Sequence, residues 1–168
     1  AKEFVDTLYS YGVKIFSITD HNYFSTQYYN EIDSYISNNK INMKLINGVE
    51  LDVYVTLKDT NDTKQVKEDM IHICFYFDDN LDRNKLENII NSLYRDEKGN
   101  LKKPHLKDIL NSFEDVNSKI IIIPHGDKSR GLFDNKLIDN LSLQENPRFY
   151  RYAMYKIFNA FDVRKKFW

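Results

Sequence analysis

The chain has 168 residues, 42% of them hydrophobic and 29% charged, with a formal net charge of -1. That length buries a core of ordinary size, and the composition excludes a disordered chain. The near-neutral balance excludes a strong electrostatic footprint for nucleic acid over the whole chain and leaves room only for a local patch. The apolar runs are too short for a helix that crosses a bilayer. No signal-peptide pattern opens the chain. Its single cysteine, Cys74, rules out an internal disulfide. These features fit a cytoplasmic protein.

Lys2–Tyr11 predicts a short helix, because Phe4, Val5, Leu8 and Tyr11 share a face and Gly12 suits a left-handed cap. Val13–Thr19 predicts a strand. Phe24–Asn38 predicts a helix with Tyr28, Ile32, Tyr35 and Ile36 inward and Ser25 or Thr26 as its cap. Met43–Val49 predicts a second strand. Leu51–Leu57 then alternates, polar Lys58–Lys64 follows, and Met70–Phe77 is apolar again. That pattern predicts an antiparallel hairpin turning near Thr60-Asn61-Asp62, an excursion from the main sheet. Asp82–Tyr94 predicts a helix on Leu86, Ile89, Ile90 and Leu93. Pro104 opens the next helix, whose stripe is Leu106, Ile109, Leu110 and Phe113. Lys119–Ile123 carries four consecutive isoleucines and predicts a strand covered on both faces. Beyond it come a Gly-bracketed loop, Gly126–Gly131, helices near Leu137–Leu143 and Arg148–Met154, and a strand over Lys156–Val163. The alternation of helices and strands predicts an α/β fold with a parallel sheet or barrel, whose function collects at the C-terminal ends of the strands.

Three apolar runs end in groups that bind metals and move protons. Asp20-His21 follows Lys14–Thr19, Glu50 follows Leu45–Val49, and His125 follows Lys119–Pro124. His72 lies inside Met70-Ile-His-Ile-Cys-Phe75, with Cys74 two residues on and on the same side of the strand. Zn, Mn and Fe accept neutral imidazole together with carboxylate. A glutamate can bridge two ions, and two ions can activate a water and clamp a phosphoryl oxygen. Each residue also has a plain structural reading. Asp20 can cap a helix, His21 can be a loop residue, and Glu50 can be a solvated strand end. His72 can be a hydrogen-bonded core histidine, and Cys74 a small core hydrophobe. His105, in the first turn of its helix, reads as a surface residue.

In type and in order, Ile18-Thr-Asp-His21, Asn47-Gly-Val-Glu-Leu-Asp52, Ile71-His-Ile-Cys-Phe-Tyr-Phe77 and Ile123-Pro-His-Gly126 resemble motifs of the polymerase and histidinol phosphatase (PHP) superfamily. The resemblance covers residues 2–126. It implies a distorted (β/α)7 TIM-like barrel, here incomplete and carrying an inserted β-hairpin, with 1–168 as a single-domain fragment of a longer protein. It implies one to three divalent ions (Zn, Mn or Fe) and hydrolysis of a phosphate monoester or phosphodiester. By position, Glu50 resembles the carboxylate that bridges two ions, His72 and His125 the histidines that complete the second ion's shell, and His21 a ligand of the third. Asp20 would orient His21. Lys128 and Arg130 would bind phosphate, with Arg130 the better suited because it does so bidentately and can neutralise charge at the reacting centre. The family's first His-x-His and last Asp-x-His have no counterpart here. Glu50, His72 and His125 are therefore the one complete site, and hydrolysis by this fragment is expected to be weak or nil. The hairpin and the basic, aromatic tail are similar to those of PHP modules fused to ATPases.

Two other functions stay open. One is a non-catalytic, degenerate PHP module with a structural or regulatory role. The other is a nucleic-acid-binding domain using Arg148, Arg151, Lys156, Arg164, Lys165 and Lys166, against which the acidic balance elsewhere works. The expected partners are a phosphorylated small molecule or nucleic acid as substrate and the rest of a larger polypeptide, such as an ATPase domain, with no membrane.

Overall fold

The computed structural model describes residues 1–58, 66–114 and 120–125. In chain order the elements are α1 (Lys2–Ser10), β1 (Ile15–Ser17), α2 (Thr26–Asn38), β2 (Lys44–Lys58), β3 (Val66–Phe77), α3 (Arg83–Tyr94), α4 (Leu106–Ser112) and β4 (Ile120–Pro124). The predicted turn at Thr60-Asn61-Asp62, the loop Gly126–Gly131 and the elements expected beyond it lie outside the described residues.

Local chemistry sets the helix boundaries. Gly12 takes a φ of +76° directly after α1, a conformation open to glycine at little cost. Ser25 caps α2 by accepting from the Tyr28 N–H at 3.2 Å, and Asp82 caps α3 by accepting from Asn84 N–H at 2.9 Å. Pro104 sits just ahead of α4 rather than inside its first turn, and His105 is the cap residue.

The strands form one open sheet in the order β1-β2-β3-β4. β1 pairs parallel with β2, Phe16 opposite Leu45. β2 pairs antiparallel with β3, from Asn47 opposite Phe77 to Lys58 opposite Val66. β3 pairs antiparallel with β4, from Ile73 opposite Pro124 to Phe77 opposite Ile120. Successive residues of a strand point to opposite faces. One face carries Leu45, Val49, Leu51, Val53, Ile71, Ile73, Phe75, Phe77 and Ile122, all buried. It forms a single core with Ile32 and Ile36 of α2, Leu86, Ile90 and Leu93 of α3, and Leu106 and Ile109 of α4. The other face carries Ile46, Gly48, Glu50, Asp52, His72, Cys74, Tyr76, Ile121 and Ile123, as the register requires. Gly48 fits there because it is bare: a Cβ would stand 2.2 Å from Ser17 Oγ and 3.1 Å from Tyr76 Cδ1.

This arrangement overturns the expected incomplete (β/α)7 TIM-like barrel and its parallel sheet. A barrel needs every strand to run parallel and to hand over to a crossover helix. Here Met43–Val49 and Leu51–Leu57 are one continuous strand, and its free edge is taken by the returning β3. The hairpin is therefore the centre of the sheet and not an excursion from it. β4 joins beyond β3, as its antiparallel neighbour. The isoleucine run is not covered on both faces either, since Ile121 is 50% exposed.

Candidate metal centre

β3 runs antiparallel to both β2 and β4, so β1, β2 and β4 share one direction. Their polar residues consequently meet on one side of the sheet. Past the end of β1, His21 pairs with Glu50 of β2. Two backbone hydrogen bonds hold that pairing, Glu50 N–H to the Asp20 carbonyl at 3.1 Å and Asn22 N–H to the Glu50 carbonyl at 2.7 Å. Within the hairpin, Glu50 lies opposite Cys74 and Asp52 opposite His72. His125 follows β4 and donates its backbone N–H to the His72 carbonyl at 3.0 Å. Register and pleat thus deliver six donor side chains to one face.

The donors sort into two groups, His21 with Asp52 and His72, and Glu50 with Cys74 and His125, each with ligand atoms within 4.8 Å of one another. In the first, His21 Nε2 is 2.6 Å from Asp52 Oδ1, and His72 Nε2 is 3.2 Å from the same oxygen. In the second, His125 Nε2 is 3.3 Å from Glu50 Oε2 and 3.8 Å from Cys74 Sγ. Glu50 reaches both groups, because its other oxygen, Oε1, is 3.0 Å from His72 Nδ1. The first group is open, with His21 at 46% side-chain exposure. The second is closed, with Cys74 at 5% and His125 at 7%.

The electrostatics favour a cation. Glu50 and Asp52 share a face, and among the described residues the only basic groups on them are histidines. Burial lowers the His72 pKa from its ordinary value, against the opposing pull of Asp52 and Glu50. The ring is therefore neutral near pH 7. Its Nδ1 lies 3.0 Å from Glu50 Oε1, and where that nitrogen carries the neutral ring's proton, Nε2 offers a lone pair. That buried nitrogen has no hydrogen-bond partner among the described residues, since its alignment with Asp52 is poor. An orphaned buried donor atom costs about 1–3 kcal/mol, and a metal ion between it and the carboxylate removes that cost. The donor set fits such an ion, since imidazole, carboxylate and thiolate are all ligands of Zn and its neighbours.

His21, Glu50, His72 and His125 thus come together; His72 groups with His21 and Asp52 and also lies 3.0 Å from Glu50. Asp20 contributes its backbone carbonyl, and its exposed side chain makes no hydrogen bond or ion pair among the described residues. The group on His21 is Asp52. Lys128 and Arg130 lie outside the described residues. Asp52 and Asn22 were not singled out from the sequence. Asn22, at φ +56°, donates to Asp52 Oδ2 at 2.9 Å and accepts the Asp52 N–H at 2.8 Å. The two-residue spacings Glu50-Leu-Asp52 and His72-Ile-Cys74 were the available signal, because on a strand each pair shares a face. No helix among the described residues is long and apolar enough to cross a membrane. Compared with known proteins, the chain matches no family model and no curated protein.

Proposed function

We propose that this chain is a metal-dependent phosphoesterase domain that hydrolyses a phosphate monoester or phosphodiester of a small molecule or nucleic acid. The observation that carries the reading is the buried, unpartnered Nε2 of His72 beside Asp52. The four motifs that resemble those of PHP proteins support the same chemistry. His21, Asp52 and His72 would hold one ion and Glu50, Cys74 and His125 another. A divalent ion held there supplies Lewis acidity toward a phosphoryl oxygen and toward water. Glu50 keeps one oxygen on each group. Asn22 fixes Asp52 from behind, leaving Asp52 Oδ1 to face the two histidines. His21 stands at the solvent side, where a phosphate ester can approach.

The test is hydrolysis of a simple phosphomonoester and a phosphodiester by the chain loaded with manganese or zinc. Glu50→Gln is expected to abolish turnover. It should also lower metal affinity by more than the roughly 10–100-fold typical of losing an outer-shell partner. The circular dichroism spectrum should not change. Activity retained in that variant would remove Glu50 from the centre. A second reading, a structural metal site without catalysis, is favoured by the closure of the Cys74 and His125 side. Metal binding with no cleavage of either ester would select it.

A further inference from the structure

A buried lone cysteine ordinarily serves as a small hydrophobe. Cys74 is placed otherwise: its neighbours Ile73 and Phe75 enter the core at 0% exposure, while the pleat turns Cys74 to the opposite face, across from Glu50. There its Sγ lies 3.8 Å from His125 Nε2, and Glu50 Oε2 lies 3.3 Å from that same nitrogen. We propose that Cys74 is a metal ligand and that Glu50, Cys74 and His125 form a zinc-type position, while His21, Asp52 and His72 form a less selective one. The inference rests on the metal-centre reading above.

The chemistry follows from the donors. Thiolate is soft and favours zinc over magnesium or manganese. Imidazole and carboxylate complete a set found in zinc sites. On binding, the ion takes the place of the thiol proton, which passes to solvent. The other group, two imidazoles and a carboxylate, suits Zn, Mn and Fe alike. One ion is therefore retained as zinc, and its neighbour exchanges with whatever divalent metal is abundant.

The experiment is a cobalt(II) titration of the full chain, followed by its near-ultraviolet thiolate-to-cobalt charge-transfer band. The chain has a single cysteine, so any such band belongs to Cys74 without a variant. The expected result is a band that saturates at one equivalent of cobalt. Zinc should then remove it stoichiometrically, while a roughly 100-fold excess of manganese or magnesium leaves it standing. Cobalt that binds with visible ligand-field bands but no thiolate band overturns the role of Cys74 and leaves the metal centre intact. A band that manganese removes as readily as zinc overturns the selectivity. No cobalt binding at all overturns both this inference and the metal-centre reading.

Discussion

Asn22 is not itself a metal donor, yet its loss should be felt at the centre. It holds Asp52 by two hydrogen bonds, one to the carboxylate and one from the backbone N–H. Its φ of +56° is tolerated by asparagine and strained for alanine by roughly 1–2 kcal/mol. Asn22→Ala should therefore weaken metal affinity about 10–100-fold, read by competition with a chelating dye, and lower stability as well. Unchanged affinity would show that Asp52 needs no support. His72 sets a pH dependence. Burial holds its folded-state pKa below the ordinary 6.5, so the unfolded chain binds the proton more readily. The stability this contributes is complete above about pH 6.5 and is lost as pH falls through the depressed value. The urea midpoint of the metal-free chain should drop over that window, and His72→Gln should remove that part of the slope. At this scale the sequence made His21, Glu50, His72 and His125 visible by residue type and by their neighbourhood of apolar runs. Asp52 was signalled only by its two-residue spacing from Glu50, and Asn22 was hidden, because its role comes from one backbone angle.

At one step the join between β1 and β2 is bridged by a side chain. The parallel ladder runs from Lys44 N–H on the Lys14 carbonyl to Glu50 N–H on the Asp20 carbonyl. That spacing puts Gly48 N–H opposite the Ile18 carbonyl. The Tyr29 hydroxyl stands between them, accepting from Gly48 N–H at 3.0 Å and donating to Ile18 at 2.5 Å. Burial raises the Tyr29 pKa and keeps its proton in place for this relay. Tyr29→Phe leaves Gly48 N–H without its acceptor and the Ile18 carbonyl with only the 3.4 Å bond from Ser17 Oγ, and should cost about 1–3 kcal/mol in denaturant unfolding. A loss within error would mean that the strands close up or that water fills the gap. Arg83 ties α3 to β2 by donating to Asn47 at 2.8 Å, and to α2 by donating to Asn30 at 2.9 Å and pairing with Asp33. The helices were legible through their stripes, such as Leu86, Ile89, Ile90 and Leu93, and through the cap at Ser25. The direction of β4 was not, because an unbroken isoleucine run reads as a parallel strand covered on both faces, whereas here it pairs antiparallel and leaves Ile121 half exposed.

Among the described residues the fold leaves the barrel pattern where β2 continues into a hairpin instead of handing over to a helix, and again where β4 joins antiparallel to β3. Apolar periodicity reports which residues are buried and says little about which strand edge each segment joins. The clustering of polar groups nonetheless survived the change of fold. β1, β2 and β4 still run the same way, and His72 reaches the cluster from the opposing strand by pleat alone. Four of the six donors, Glu50, Asp52, His72 and Cys74, belong to that one hairpin. Hairpins close in about 1–10 μs, ahead of pairings distant in sequence. We therefore expect most of the centre to assemble before β4 docks and brings His125. An ion present during refolding would meet a partly built site and neutralise Glu50 and Asp52 as they come together. Stopped-flow refolding should be faster with zinc than with a chelator, and equal rates would mean that the ion enters only after the chain has folded.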